Sequence, residues 1–461
     1  MKSTNVLELN QSNKEYIYLE NYNTIFEKND LLDDILSRIS KQSNEEIINE
    51  LNEKYDTDDI SNQISIIRDW FTKVDKHKEK IDKKFEIDKD DWFNKKALTS
   101  LLINISHDCN LRCKYCYGDG GYYGKERELM TVERAKEIID YWFKYLYIGK
   151  EKINVTFFGG EPLMNKEVLI FSVNYINDLL SKYKKSPNYG MTTNGTILDK
   201  DILELLVKNN FKLILSIDGG REIDNKNRPY VSGKGSFDTV KENIGHLKKY
   251  YSRLSARLTL THEDVKDFAK SVKEIWNLGV QNVMYDIVST NNIKFKLTKE
   301  DLKLLKPQIQ ELSEITYESM ISDGNKILKP LLSISSELHN KIFNPGCPYD
   351  SKKILAVDPD GDIFKCHRLT GDSKFNVGNI STGLDWDKYN QHNKIICNDC
   401  WANNLCHKCA QANYVENGDV NKPYEVWCEH RKMLIKEGIK LYIKINNNHP
   451  DKVDKIYSRF Y

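Results

Sequence analysis

A chain of 461 residues with a net charge of +1 is too long for one ordinary core, and it carries no overall charge that would favour nucleic acid or an anionic membrane as partner. No apolar run reaches the ~18 residues of a membrane span, and the opening MKSTNVLELNQSNKEY lacks a signal peptide's apolar stretch, so a cytoplasmic protein with reduced thiols is expected. Its ten cysteines lie in two clusters, 109–116 and 347–428, a placement that reads as metal ligation and not as disulfide stapling.

Residues 1–95 hold no cysteine. EYIYLENYNTIFEKND reads as two β-rich runs joined by a turn at Asn21–Asn23. LLDDILSRI, NEEIINELNEKY and TDDISNQISIIRDWFTKV follow with apolar residues at helical spacing. DKHKEKIDKKFEIDKDD is expected to be a charged, solvated connector. Across 96–300, six strand candidates (LTSLLINIS, INVTFFGG, NYGMTTNG, KLILSIDG, SARLTLT and NVMYDIVS) alternate with amphipathic helices, which predicts an α/β fold with a parallel sheet. Residues 301–339 read as a helical bridge. Residues 340–461 are rich in turns and poor in periodic apolar pattern, so metal ligands are expected to stand in for a core there, ahead of a C-terminal helix.

The first cluster, DCNLRCKYCYG, is C-x3-C-x2-C directly after a predicted strand. In parallel βα folds, that edge carries the chemistry. Cys109, Cys113 and Cys116 offer three thiols, one too few for the usual structural zinc site unless His107 completes it, and three of the four that hold a 4Fe–4S cube.

This run resembles the signature of the radical S-adenosylmethionine (SAM) superfamily, with Tyr115 as the aromatic residue before the last cysteine. The resemblance implies a partial (β/α)6 TIM-like barrel, a 4Fe–4S cluster on the three thiols and S-adenosyl-L-methionine on the open iron. There its sulfonium bond is cleaved to a 5′-deoxyadenosyl radical that abstracts hydrogen. It also assigns cosubstrate contacts. Gly159, Gly160, Glu161 and Pro162 in FFGGEP match the motif for the methionine amino group. Ser216 and Asp218 in LSIDG fall near the ribose, Asn194 in TTNG lies at the cofactor edge, and Tyr115 lies near the adenine. Arg228 in NRPYVSGKGSF would meet the cosubstrate carboxylate or be solvated.

The second cluster runs Cys347, Gly361-x4-Cys366, then Cys397, Cys400, Cys406 and Cys409 as C-x2-C-x5-C-x2-C, then Cys428. It is similar to the SPASM extension of peptide-modifying radical enzymes, although the last gap is two residues where the family has three. A zinc ribbon is the alternative. The resemblance implies two further 4Fe–4S clusters, three in all. Cys397, Cys400, Cys406 and Cys428 would hold the outer one, and Cys347, Cys366 and Cys409 the inner one, a ligand short. His367, His407 or His430 could fill that place. Residues 14–75 resemble in pattern the winged-helix-like RiPP recognition element, which binds leader peptides of ribosomally made precursors by β-augmentation. Its acidic residues argue against DNA. The implied function is a peptide maturase that joins a cysteine sulfur to a carbon of another residue in a thioether. Carbon–carbon cross-linking, epimerisation and sulfatase maturation are the alternatives, and a flavodoxin or ferredoxin is the implied reducing partner.

Overall fold

The computed structural model describes residues 6–85, 100–146, 153–322, 324–342, 347, 349, 354–390, 397 and 399–460. The expected boundary near residue 95 lies outside them.

The chain opens with an antiparallel sheet in the order β1 (Val6–Gln11), β2 (Lys14–Leu19), β3 (Thr24–Glu27). The first strand was not expected from the sequence. Its signal is the exposed–buried alternation of VLEL and a two-residue turn whose Ser12 and Asn13 both have positive φ, as a tight hairpin requires. Helices α1 (Asp30–Arg38), α2 (Asn44–Leu51) and α3 (Thr57–Phe85) follow, the first two capped by Asn29 and by a Ser43–Glu46 capping box. The third continues to Phe85, through most of the stretch expected to be a connector. That stretch is lysine- and aspartate-rich and free of Gly and Pro, so it lacks the two residues that most strongly break a helix.

The small sheet is buried on both faces. Ile17 and Leu19 pack with Leu32, Ile35, Ile47, Ile60 and Ile64 of its own helices. Leu7, Leu9, Tyr16 and Tyr18 instead belong to the main core. Hydrogen bonds reinforce the junction: Asn447 Nδ2 donates to Tyr16 Oη (2.6 Å), Asn23 Nδ2 to the Ile342 carbonyl (2.9 Å) and Asn404 Nδ2 to the Glu20 carbonyl (2.7 Å).

All six expected strands form and run parallel: β4 (Ser100–Ser106), β5 (Asn154–Gly159), β6 (Asn188–Thr193), β7 (Lys212–Ser216), β8 (Ser255–Leu260) and β9 (Asn282–Ile287). Between them run α4 (Val132–Tyr141), α5 (Lys166–Ser181), α6 (Lys200–Lys208), α7 (Arg221–Asn227), α8 (Phe237–Leu247) and α9 (Phe268–Asn277). In β5, β8 and β9 burial alternates strictly: one set of side chains faces the helices, while the other, including Thr156, Phe158, Arg257 and Thr259, stays partly exposed toward a cavity.

The sheet is wider than the sequence suggested. After α10 (Lys299–Ile321), the presumed helical bridge adds a short parallel strand, β10 (Ile327–Leu328), beside β9 and continues into α11 (Lys329–His339). At the other edge β11 (Ile354–Val357) pairs parallel to β4, and β12 (Asp362–Phe364), β13 (Asn376–Asn379) and β14 (Gly383–Leu384) follow antiparallel, giving eleven strands. The cysteine-rich region therefore grows out of the parallel sheet. It also has a small core of its own, where Leu102, Tyr349, Ala356, Phe364 and Phe375 surround Cys347, contrary to the expectation that it lacks one. Helices α12 (Trp386–Asn390), α13 (Ala410–Asn417), α14 (Glu425–Asn448) and α15 (Val453–Ser458) complete the chain, with α14 packed on α10, α11 and β1. Among the described residues, no helix is long and apolar enough to cross a membrane.

Candidate active site

β4 ends at Ser106, and the loop that follows is fixed by backbone and side-chain hydrogen bonds. Ser106 Oγ and Asp108 close a turn, and the Cys109 amide donates to Asp108 Oδ1 (2.8 Å), which Arg127 holds from outside (2.7 Å). The Arg112 amide donates to the Pro229 carbonyl (2.7 Å), the Lys114 amide to Asn227 (3.0 Å) and the Val231 amide to Asn110 (3.1 Å), so the loop is stitched to the segment after α7. The close approach of FFGG is to this loop: a Cβ on Gly159 would stand 2.3 Å from the Ser106 carbonyl oxygen, and one on Gly160 2.1 Å from that of Asp108. Only glycine lets the two strand ends lie so near, and Gly159 also has φ +137°.

The three thiols of this loop open on a cavity of about 260 Å³ at the C-terminal end of the parallel strands. Amides of Leu111 and Gly120 point at Cys109 Sγ and Cys116 Sγ (3.4 Å each), and Asn194 Nδ2 lies 3.6 Å from Cys109 Sγ. Burial pushes the Cys109 thiol up to about 11 and the Cys113 thiol up to about 12, so without a cation these groups keep their protons at neutral pH.

Tyr115, Gly159, Gly160, Asn194, Ser216 and Arg228 line the cavity. Glu161, Pro162 and Asp218 are not among the lining residues. The Glu161 carboxylate is fully buried and accepts from the Leu163 amide (3.0 Å), Thr193 Oγ1 (2.7 Å) and the Asn194 amide (2.7 Å), which ties the end of β5 to the end of β6. Asp218 accepts from Tyr115 Oη (2.5 Å) and the Thr259 amide (3.0 Å), and Arg228 Nη1 donates to Tyr115 Oη (3.0 Å). Arg228 is 6 % exposed, so it is a wall residue and not solvated. His107, the candidate zinc ligand, is fully buried outside the cavity lining, against Tyr123, and burial depresses its basicity to about 4.

Sequence reasoning missed part of the lining: Arg257, Arg368, Tyr117 and Gln411 also face the cavity. Arg257 donates to Asp286 Oδ2, which also pairs with Arg368 (3.2 Å); burial opposes ionisation of Asp286, but these guanidiniums hold its carboxyl below the usual range. A signal was available: Arg257 and Asp286 are charges inside central strands, where unpaired charge is not tolerated.

The seven remaining thiols form two groups by mutual electrostatic reach. Cys347 feels Cys409 and Cys366, and Cys366 feels Cys409. Cys428 feels Cys406, Cys397 and Cys400. Burial pushes Cys347 and Cys428 up to about 12. Arg368 Nη1 lies 4.0 Å from Cys409 Sγ, and Tyr117 lies within electrostatic reach of both Cys116 and Cys366, so the inner group adjoins the cavity. Of the three candidate histidines, His367 lines the cavity, edge-on to Phe158 (4.7 Å). His407 Nε2 meets Glu337 (3.0 Å), and His430 Nε2 meets Tyr285 Oη (2.9 Å).

The sequence profile of the radical SAM superfamily matches residues 103–275. A cysteine-type anaerobic sulfatase-maturating enzyme of Clostridium novyi is 33% identical over 375 residues, covering 75% of this chain and 96% of that one. The chain belongs to the radical SAM superfamily. A radical SAM cyclopropyl synthase, TigE, of Paramaledivibacter caminithermalis is 25% identical over 342 residues, 68% of this chain and 67% of that protein. In fold, the radical SAM protein resembles native anSMEcpe with bound AdoMet (TM-score 0.63, 19% identity, 76% of this chain and 99% of that one). It also resembles Streptococcus suis SuiB bound to S-adenosylmethionine (TM-score 0.50, 13% identity, 93% and 99%).

Membership in the radical SAM superfamily implies a 4Fe–4S cluster with S-adenosylmethionine, and the donor set fits. Among the described residues, the ligating atoms gathered within 4.8 Å of one another are those of Asp358, Asp360 and Asp362, so no thiol group is drawn that tight. A single zinc ion with Zn–S near 2.3 Å would need sulfurs about 3.8 Å apart. The wider spread, on thiols that need a cation to ionise, suits a polynuclear cluster.

Proposed function

We propose that this radical SAM protein is a peptide maturase that forms thioether cross-links in a ribosomally made precursor. Cys109, Cys113 and Cys116 would hold the first 4Fe–4S cluster, Cys347, Cys366 and Cys409 the inner one, and Cys397, Cys400, Cys406 and Cys428 the outer one. With S-adenosylmethionine bound, the first cluster supplies a 5′-deoxyadenosyl radical for hydrogen abstraction. The chain's own residues bind and enclose. Gly159, Gly160, Asn194 and Ser216 would line the cosubstrate's side, and Asp218 and Arg228 lock the Tyr115 phenol in place. Arg257 and Arg368, neutralised in part by Asp286, form the side toward the substrate.

The observation that carries this reading is the lining of the cavity: it takes in the first trio and also His367, Arg368 and Gln411, which lie within two residues of Cys366 or Cys409 in the chain. A side chain entering it would lie between a radical source and a cysteine group one ligand short of four, and we assign that place to a precursor thiol. The N-terminal sheet, with β1 and β3 as its edges, offers strands for a leader peptide. The likeness to SuiB extends over 93% of this chain against 76% for anSMEcpe, which favours a precursor peptide over a sulfatase as substrate. SuiB has a structure with its precursor peptide SuiA, and anSMEcpe one with the peptide Cp18Cys.

Anaerobic reaction with a precursor encoded beside the gene, read by mass, tests the assignment. Loss of two hydrogens per cross-link is expected, and no change when the precursor's cysteines are serine. A two-hydrogen loss that persists in the serine peptide would replace thioether formation with carbon–carbon coupling, the chemistry suggested by the relationship to TigE.

A further inference from the structure

A groove of about 510 Å³ lies beside the outer thiols, between α10 and α14. Two rows of lysines flank it. Lys299, Lys303 and Lys306 are spaced along one face of α10, and Lys432 and Lys436 lie one turn apart on α14, the helix whose first turn carries Cys428. Trp401, next to Cys400, lies between them with the Lys436 ammonium 6.0 Å from its ring. Three of these lysines have glutamate partners, Lys299 with Glu425 (2.6 Å), Lys303 with Glu300 (2.7 Å) and Lys432 with Glu429 (3.2 Å). Among the described residues, Lys306 and Lys436 have no carboxylate at ion-pairing distance, nor does Lys408 in the loop between Cys406 and Cys409. Six lysines against four glutamates (Glu300, Glu425, Glu429 and the lining Glu437, which pairs with Lys440) make this a local positive surface on a chain whose net charge is only +1. Lys408 and Lys432 act directly on the Cys397 thiol, so the charge lies over the outer group.

The fold also joins this surface to the cavity. Cys406 of the outer group and Cys409 of the inner group are three residues apart, Arg368 lies against Cys409, and Tyr117 is within electrostatic reach of Cys116 and Cys366. We propose that the lysine groove is the docking surface of an acidic one-electron carrier protein. The proposal rests on the reading of the outer thiols as cluster ligands. The carrier is oxidised by one electron, the centre held by Cys397, Cys400, Cys406 and Cys428 is reduced by one, and no bond to the protein forms or breaks. Opposed charge across such a surface acts mainly on the association rate and is screened by salt.

The test uses anaerobically reconstituted holoenzyme and an acidic flavodoxin in its hydroquinone form, following flavin oxidation by stopped flow and flavodoxin binding by titration. Both affinity and rate should fall with rising ionic strength. K306E/K436E should slow transfer about tenfold or more at low salt and weaken binding in parallel, approaching wild type at high salt. Cleavage of S-adenosylmethionine driven by dithionite should be unchanged. K200E, at a lysine 86% exposed on α6, is the control and should behave as wild type. The assignment is overturned by salt-independent wild-type transfer, by wild-type transfer in K306E/K436E, or by an equal loss in K200E. Iron content separates the two levels: a C400A variant that holds as much iron as wild type sinks the outer cluster itself, whereas fully loaded K306E/K436E with undiminished transfer sinks only the docking surface.

Discussion

The first cysteine region and the second reach a similar end by different physics. Cys109, Cys113 and Cys116 sit on one eight-residue stretch, held by amides, by the glycines of FFGG and by the segment after α7. The seven later thiols come from five separate stretches between 347 and 428, brought together by β11–β14, α13 and α14. The hydrogen bonds and close glycine contacts of the parallel sheet's edge place the first set without calling on a metal. The second set has only a small core of its own, and in the proposed reading metal–thiolate bonds, formed as the thiols lose their protons to solvent, supply the rest of its order. The first region should therefore tolerate loss of metal and fail on a backbone change, and the second should do the reverse.

The sharpest break of this comparison is a pair of ligand removals. Cys113→Ala should abolish 5′-deoxyadenosine formation while the 347–428 region keeps its iron. Cys400→Ala should remove the outer iron, lower thermal stability and leave dithionite-driven cleavage measurable. Iron analysis with an activity assay reads both, and cleavage retained by Cys113→Ala would end the assignment of the first trio. Next in size is Gly160→Ala. Its Cβ would meet the Asp108 carbonyl oxygen at 2.1 Å, backbone against backbone, so the thiol loop has to move. A shift of about 1 Å there is expected to cost around a hundredfold in cleavage rate, with the auxiliary iron unaffected.

The N-terminal module extends the comparison, because it is not a detachable appendage. Tyr18 is fully buried in the main core and donates to Asn23 Oδ1 (3.1 Å). Asn404, in the loop between Cys400 and Cys406, donates to Glu20. Removing residues 1–95 would thus unroof α14 and loosen the outer thiol loop, so leader dependence is better probed at the edge strands than by truncation. Tyr18→Ala should cost about 3–5 kcal/mol, measured as a drop in unfolding temperature together with lower retention of auxiliary iron than of first-cluster iron. Equal loss from all three groups would show that the module supports the chain as a whole.

Where local pattern decides, the sequence was a good guide. The six parallel strands were legible because each is a short apolar run closed by a polar turn, and the first trio because its thiols are neighbours in sequence. What was lost lay at long range. That β11 pairs with β4 across some 250 residues depends on which sheet edge is left open, and no local motif states it. FFGGEP was read as a ligand motif; the fold adds a packing role that the motif does not state, its glycines admitting the Ser106 and Asp108 backbone and its glutamate accepting from the next strand. Arg368 was passed over because a lone arginine beside a cysteine carries no signal until Asp286 and Tyr117 are brought to it by the fold.

The smallest expected effect tests the tie between the two regions. Lys125, in the loop after the first trio, places its ammonium 2.8 Å from Asp358 and 2.6 Å from Asp360, in the turn between β11 and β12, and 2.9 Å from Asp362, which opens β12. Burial raises the Asp358 carboxyl to about 6 even though Lys125 pulls it down. A carboxyl raised in the folded state contributes stability that is complete below the unfolded value of about 3.9 and is lost as pH rises through 6. Without Lys125 the folded value climbs further, and the loss extends to higher pH. Lys125→Ala should therefore be destabilised by about 1–3 kcal/mol near pH 7.5. The deficit should shrink toward pH 5, where Asp358 can be protonated in both proteins. Lys125 is only about one-fifth exposed, so salt should screen little of this. Unfolding temperatures of the two proteins at pH 5 and pH 7.5 decide it: a deficit independent of pH would mean that Lys125 acts by packing alone, and that the two cysteine regions are not joined through this charge.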